Sequence, residues 1–271
     1  MTPPRIAAVV VSYKTGWRLR DCLYALAGEP EVERLILVDN GNPPEDTAWI
    51  SRFAARRSDM TVIQPGENLG FGRGANLGAS SAGGADWLVF VNPDAMIHRG
   101  AVIRLVSASE GAARPVLVGG RIFGPDGREQ RGCRRRELNW ASALGLARWT
   151  LETAPPPQGP TAMDAVSGAF FAMPRKDFLS LGGFDEAYFL HVEDVDLCRR
   201  VREAGGAVIY EPAAGALHAG GTSDAPAALI QGHKADSLTH YFRKFARGPA
   251  DRLLNALLLP LLRRHLRRRG R

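Results

Sequence analysis

Four acidic residues and one histidine have side chains able to do chemistry, and each stands where the chain changes direction. Asp39 closes an apolar run in LVDNG, and Asp94 follows another in VNPD. Glu193 and Asp194 open a helical stretch in VEDVDL, and His218 lies in ALHAGG. A carboxylate at the carboxyl end of a buried strand projects into the crevice where α/β sheets bind ligands. Asp39 can there accept a hydrogen bond from a base N–H or a ribose hydroxyl; Asp39-Asn40-Gly41 also reads as ordinary turn chemistry. Pro93 ends its strand, stiffens the turn and presents Asp94, beside Asn92, at the edge. A carboxylate in that place binds a hard divalent cation, which bridges phosphate oxygens. A plain Pro-Asp turn is the alternative, and position at a strand end favours the metal.

Glu193, Asp194 and Asp196 crowd one helix start. Acids there often cap orphan N–H groups and answer the dipole, and Asp196 stands four residues before Arg200, the spacing of a surface pair. A group transfer to a hydroxyl needs a carboxylate that takes the acceptor proton. Asp194 is the first candidate for that base and Glu193 the second. A lone histidine is commonly structural; with a phosphate-bound metal expected at Asp94, the His218 imidazole becomes a second protein ligand. Asn68–Gly78 (NLGFGRGANLG) has Ala75 where a dinucleotide fingerprint needs its third glycine. Its loop, with Asn68 and Gly70, can still offer backbone N–H groups to a diphosphate, and Arg73 can add a charge. A tight turn feeding a small-residue helix is the competing reading.

These residues need elements to hold them. Ile6–Ser12, 35–39, 61–64 and 87–92 are short, continuous apolar runs, as expected of strands buried on both faces. Helical stripes fall between and after them at 17–27, 47–57, 72–81 and 99–110. This alternation predicts an α/β fold with a Rossmann-like, mostly parallel central sheet flanked by helices, with ligands at the carboxyl ends of the strands. The second half is mixed: short strands over 116–123, an Arg-rich loop at 127–136, a helix over 140–150, the linker APPPQG at 154–159 and a strand at 167–173. A helix from Pro174, a helix over 194–204, a strand over 207–210 and a long helix over 227–245 follow. The chain divides into 1–115, binding the nucleotide; 116–246, a smaller acceptor-side and catalytic half; and 247–271, a basic tail.

The net charge of +7 over 271 residues resides wholly in that tail, where eight arginines face one aspartate; the rest holds 27 basic and 27 acidic side chains. A neutral body argues against nucleic acid as a partner. The three cysteines form no CxxC motif, which suits a reducing compartment. No apolar run approaches the ~20 residues of a membrane span, so a cytoplasmic catalytic part is expected. Arg252–Arg271 joins a leucine block to an arginine block, suited to lying on an anionic membrane surface, on the inner face of the cell membrane; a helix docked on the body is the alternative. The Arg128–Arg136 loop reads either as a contact for an acidic acceptor or as a solvated charge run.

VVVSY (Val9–Tyr13), VDNG (Val38–Gly41), NLGFGRGANLG, NPD, SGAFFAMPR (Ser167–Arg175), GGFDEAYFLHVEDVDLCRRVREAG (Gly182–Gly205) and His218 occur in an order that resembles a family 2 glycosyltransferase of the GT-A fold, in the rhamnosyltransferase-like branch, over about residues 5–245. The resemblance implies an inverting enzyme that uses a dTDP- or UDP-sugar with Mg²⁺ or Mn²⁺. By that likeness Val11, Ser12, Tyr13 and Asp39 hold the nucleoside and the Asn68 loop lies near the diphosphate. Asp94 binds the metal, and the Glu193-Asp194 pair supplies the base. Asn92 stands where the D-x-D-like motif has its first Asp. A lipid-linked, polyprenol-type cell-wall or polysaccharide intermediate is the leading acceptor and L-rhamnose the leading sugar; a small secondary metabolite is the alternative acceptor. A sugar nucleotidyltransferase is a rival, although Ser12–Gly16 (SYKTG) is a poor triphosphate loop. A non-enzymatic sugar-binding protein is the other.

Overall fold

The computed structural model describes residues 3–144, 146–220 and 226–269. Its first half follows the expected alternation: β1 (Ile6–Ser12), α1 (Arg18–Ala27), β2 (Val32–Asp39), α2 (Pro44–Ala54), β3 (Met60–Ile63), α3 (Phe71–Ser81) and β4 (Trp87–Val91). β5 (Ala95–Ile97) and α4 (Ala101–Ser107) complete it. All of β1 and β4 is buried, the consequence of an unbroken apolar run covered by helices on both faces. The glycines of α3 bring that helix close to the sheet: a Cβ on Gly74 would stand 2.9 Å from Val11 Cγ1, and one on Gly78 2.5 Å from Val9 Cγ1.

The second half contains β6 (Val116–Phe123), β7 (Arg134–Arg135), α5 (Trp140–Ala143), β8 (Thr161–Ala162), β9 (Ala165–Val166) and β10 (Phe170–Pro174). α6 (Arg175–Ser180), α7 (Glu193–Glu203), β11 (Ala207–His218), α8 (Ala227–Lys244) and α9 (Pro249–Arg269) follow. The main sheet runs β3-β2-β1-β4-β10-β6-β11-β5, with β8 beside β11. β5, β8 and β10 oppose the common direction of the others. This is a mostly parallel, mixed sheet with helices around it, as the alternation of elements predicts.

Register places the chemistry. Ser12 pairs with Asp39 and Val10 with Val91, so the ends of β1, β2 and β4 share one edge. Antiparallel β10 begins at that edge, with Phe170 opposite Val91. β11 outruns its expected end at Tyr210. A bulge between Glu211 and Gly215, where Pro212 interrupts the ladder, carries the strand on until His218 pairs with Ala95 of β5.

Several expectations are corrected. The helix expected over 140–150 stops at Ala143, four residues after its Asn139 cap; Gly145 lies outside the described residues. The chain then returns to β7, where Arg136 N–H donates to Trp149 O at 2.8 Å and Leu151 N–H to Arg134 O at 3.0 Å. The helix expected over 99–110 is confined to Ala101–Ser107. Asp196 is not half of a surface pair: it is fully buried, bound to Arg200 Nε at 2.5 Å, Tyr188 OH at 3.1 Å and Lys244 Nζ at 2.6 Å. Those three bonds supply the compensation that a buried carboxylate requires.

α8 and α9 enclose a second apolar cluster with Leu138, Tyr188, Val192 and Val195. Leu259, Leu262 and Leu266 of α9 face into it, and Trp140 stacks on Phe242 at 4.0 Å while its indole N–H donates to Asn255 Oδ1. One side of the leucine block is therefore docked. The other side, with Leu253, Leu257 and Leu261, is 62–64 % exposed. Arg271 lies outside the described residues.

Candidate active site

Asp94 and His218 meet. The imidazole Nε2 lies 3.2 Å from Asp94 Oδ1, and the two side chains are only 13 % and 7 % exposed. The antiparallel pairing of β11 with β5 makes this possible, because it sets His218 opposite Ala95, one residue past Asp94. Gly220 N–H donates to Asp94 Oδ2 at 3.0 Å and Ala219 N–H to Asp94 O at 3.2 Å, which ties the end of β11 to the NPD turn. Asn92 joins them, its Nδ2 3.3 Å from the same Nε2. A hard carboxylate oxygen and an imidazole nitrogen, both buried and adjacent, fit a divalent cation of the Mg²⁺ or Mn²⁺ type as two of its ligands. Among the described residues no group of three or more such side chains converges.

Asp194 is held from three sides. Its Oδ2 accepts from Arg135 Nη2 at 2.9 Å and from Gly168 N–H at 2.8 Å; its Oδ1 accepts from Val195 N–H at 2.8 Å. Burial alone would raise its pKa, but the Arg135 guanidinium and these N–H groups hold it below the ordinary carboxylate value. Glu193 behaves oppositely. Burial first, and then the neighbouring Asp194 charge, push its carboxyl up to about 8. Its Oε2 is buried without a hydrogen-bond partner among the described residues. Two adjacent carboxyls thus shift in opposite directions, because the Arg135 guanidinium bonds directly to Asp194 and acts on Glu193 only through its charge.

The backbone before this pair is strained. His191 and Val192 take φ of +68° and +74°, and Val192 is β-branched. Such residues cost about 1–3 kcal/mol each and persist where the surroundings impose them. Here Phe189 O accepts from Phe71 N–H at 3.0 Å, Leu190 O accepts from Ser237 Oγ at 2.9 Å, and Phe189 stacks on His233 at 4.4 Å. Burial lowers the His191 pKa to about 4, with Lys234 nearby adding to the effect, so its ring is neutral.

The two poles share one edge. Ala169 O accepts from Asn92 N–H at 2.8 Å, and its neighbour Gly168 donates to Asp194. On the β1–β2 side, Asp39 is engaged within the protein. Its Oδ1 accepts from Gly41 N–H, Asn42 N–H and Asn42 Nδ2, and its Oδ2 from Thr47 Oγ1 and Gln64 Nε2. Asn42 Oδ1 accepts from Ser12 Oγ at 3.1 Å. Here the turn reading of Asp39 is what the contacts display. Tyr13 lies against Gly41, where an added Cβ would come within 3.7 Å of its ring, and Val11 is buried against α3.

The glycine-rich loop is likewise committed internally. Asn68 Oδ1 accepts from Gly70 N–H at 3.0 Å, and the first helical N–H, that of Phe71, goes to Phe189 O. Gly70 has φ of +79° and a Cβ there would strike Phe189 O. Arg73, half exposed, faces Glu186 at 3.7 Å. Loop and strained segment thereby brace each other.

Part of the Arg-rich loop turns inward, while Arg128, Arg131 and Arg136 stay exposed. Arg134 is 3 % exposed and paired with Glu129 at 2.6 Å, whose Oε2 accepts from Tyr210 OH at 2.8 Å. Arg135 reaches Asp194, and Gln130 reaches His218. One loop buttresses both poles, and in the sequence Gln130 and Arg135 have no spacing or periodicity that marks them.

Comparison with known proteins agrees with this architecture. The profile of glycosyl transferase family 2 matches residues 7–178, more than half of the chain. The N-acetylglucosaminyl-diphospho-decaprenol L-rhamnosyltransferase of Mycobacterium tuberculosis (strain ATCC 25618 / H37Rv) is 30 % identical over 255 residues, covering 84 % of this chain and 81 % of that protein. Rhamnosyltransferase WbbL of Escherichia coli (strain K12) is 41 % identical over 58 residues, 21 % of this chain and 22 % of that one. Among solved structures, the mannosyltransferase PcManGT of Pyrobaculum calidifontis in complex with GDP-Man and Mn²⁺ superposes with a TM-score of 0.64 at 16 % identity, over 100 % of this chain and 74 % of that one. GalNAc-T7 with UDP, GalNAc and Mn²⁺ gives a TM-score of 0.65 at 15 % identity, over 80 % and 43 %. The strand-end acids, the Asp94–His218 contact and the family match converge on one assignment: this chain is a glycosyltransferase of family 2, rhamnosyltransferase-like, with a GT-A fold.

Proposed function

We propose that the protein is an inverting hexosyltransferase that moves L-rhamnose from a dTDP- or UDP-sugar to a hydroxyl of a polyprenol-diphosphate-linked acceptor in cell-wall or polysaccharide synthesis. The observation that carries this reading is the 3.2 Å approach of His218 to Asp94 at the edge where Asp194 also sits. The identity to the mycobacterial L-rhamnosyltransferase supports the sugar and the acceptor class.

Asp94 and His218 are the residues that would hold Mg²⁺ or Mn²⁺. When bound, the cation supplies charge to offset that building on the departing diphosphate. Asp194, kept ionised by Arg135, takes the proton of the acceptor hydroxyl as its oxygen bonds to the anomeric carbon. The bond from that carbon to the diphosphate oxygen breaks, and the electron pair leaves with the diphosphate. A single displacement inverts the anomeric configuration. Glu193, its carboxyl pushed up by burial and its Oε2 without a partner among the described residues, lies beside that base. In this reading Ser12, Tyr13 and the Asn68 loop bound the nucleotide side.

Among the described residues no helix is long and apolar enough to cross a membrane. The exposed row Leu253, Leu257, Leu261, continued by exposed Arg264 and Arg268, suits a peripheral seat on an anionic surface at the cytoplasmic face of the cell membrane. A polyprenol-linked acceptor would be met there.

A thermal-shift panel of dTDP- and UDP-sugars, with and without Mn²⁺, tests the reading, since a ligand of the native state raises Tm by mass action. A Mn²⁺-dependent rise with one nucleotide series is expected. No shift with any nucleotide would overturn it.

A further inference from the structure

We infer that Gln130 is the positioning residue that fits His218 to hold a divalent cation, by keeping the imidazole proton on Nδ1 and the lone pair on Nε2; the inference rests on the reading of Asp94 and His218 as the metal pole. Gln130 touches His218 twice. Its Nε2 lies 2.6 Å from the His218 backbone O, and its Oε1 lies 2.6 Å from His218 Nδ1. A backbone carbonyl can only accept, so the end of the amide facing it must be the NH₂ group. The other end is then a carbonyl oxygen, which also only accepts, and Nδ1 must carry the proton. Neither the amide orientation nor the tautomer is a free choice here.

The consequence falls on Nε2. In the neutral ring it is left with a lone pair aimed at Asp94 Oδ1, 3.2 Å away, with little solvent to separate them. Two lone-pair bearers brought that close are stabilised by a cation between them. Without Gln130 the neutral ring is free to put its proton on Nε2 and donate to Asp94, a self-satisfied pair that competes with metal. Gln130 blocks that arrangement by occupying Nδ1. Its own backbone is fixed on both sides, since Gln130 N–H donates to Ile122 O at 3.0 Å and Cys133 N–H to Gln130 O at 3.1 Å. A partner that orients a ligating histidine through its second nitrogen commonly changes metal affinity by about 10–100-fold.

The test is a long-range ¹H–¹⁵N correlation spectrum of histidine-labelled protein at alkaline pH, with His218 assigned by loss of its signals in H218A. Wild type should show the Nδ1–H form. Q130E, which keeps an acceptor on Nδ1, should keep that form, and Q130L should lose it. Mn²⁺ affinity in the presence of UDP, read by electron paramagnetic resonance, should fall about 10–100-fold in Q130L. An Nε2–H ring in the wild type overturns the inference, as does a Q130L protein with wild-type tautomer and Mn²⁺ affinity. Should Q130L fail to fold, an Nε2–H ring in Q130E overturns it equally. Wild type with the Nδ1–H form but no Mn²⁺ uptake sinks the metal reading beneath it, a failure distinguishable from the wrong tautomer.

Discussion

Arg135 and Asp194 form a buried, direct ion pair at 2.9 Å, each only 12 % exposed, although one belongs to the short strand β7 and the other to the first turn of α7. The pair sets the charge of the candidate base, and it makes the loop after β6 part of the site.

Removing the guanidinium should therefore shift the ionisation of Asp194. In R135M the carboxylate loses its cation, its pKa rises, and the acid limb of the kcat/KM profile should move to higher pH. Breaking a buried pair from one side costs about 3–5 kcal/mol, so Tm should also drop. An unchanged acid limb in a folded R135M protein would show that Arg135 does not govern the base. D194N should lower kcat by at least ~10²-fold with nucleotide binding retained; near-wild-type transfer there, with loss in E193Q, would move the role of base to Glu193.

Glu193 should leave a signature in stability against pH. Its folded pKa is about 8 against an ordinary 4.5, so the native state binds more protons than the unfolded chain between those values. Stability contributed by this carboxyl is present below about 4.5 and is lost as pH rises toward about 8. E193Q cannot ionise and should gain Tm over wild type progressively across that window. Parallel Tm curves for the two proteins from acid to alkaline pH would refute the raised pKa.

At the other pole, D94A should abolish the Mn²⁺-dependent part of the nucleotide-induced thermal shift, and H218A should reduce it. Each tenfold loss of affinity removes about 1.4 kcal/mol of ligand stabilisation when ligand is in excess. A D94A protein with the full Mn²⁺ response would place the cation elsewhere.

Gly70 is predicted to be intolerant of any side chain. Its φ of +79° with ψ of 178° lies in a region essentially restricted to glycine and costs an alanine about 1–3 kcal/mol, and the added Cβ would displace Phe189 O, the acceptor of the first α3 N–H. G70A should therefore lower Tm and weaken nucleotide binding together. Gly16, also at positive φ but with nothing near its Cβ position, is the control. Equal losses in G16A and G70A would mean that φ alone matters.

The outer row of α9 can be tested apart from the catalytic edge. L257E with L261E should reduce co-sedimentation with vesicles containing anionic lipid while leaving Tm near wild type, since both leucines are exposed. Undiminished binding would rule out this face. L262E, on the docked row, should instead destabilise the fold.

What the sequence determined alone was the alternation of elements and the strand-end acids. Runs such as IAAVVVS and WLVFV carry their burial in composition, and turns after buried strands must present their residues at the carboxyl edge. Pro93, the glycines of α3 and the acids of VEDVDL are local signals in the same sense. Tertiary structure alone decided which of these residues meet. A bulge in β11 carries His218 to Asp94, a contact that no local periodicity encodes. The loop arginines look alike in sequence, yet one is buried on Glu129, one sets the charge of Asp194, and Arg128 stays in solvent. Charge, tautomer and partnership depend on neighbours distant along the chain, and the folding of the sheet chooses those neighbours.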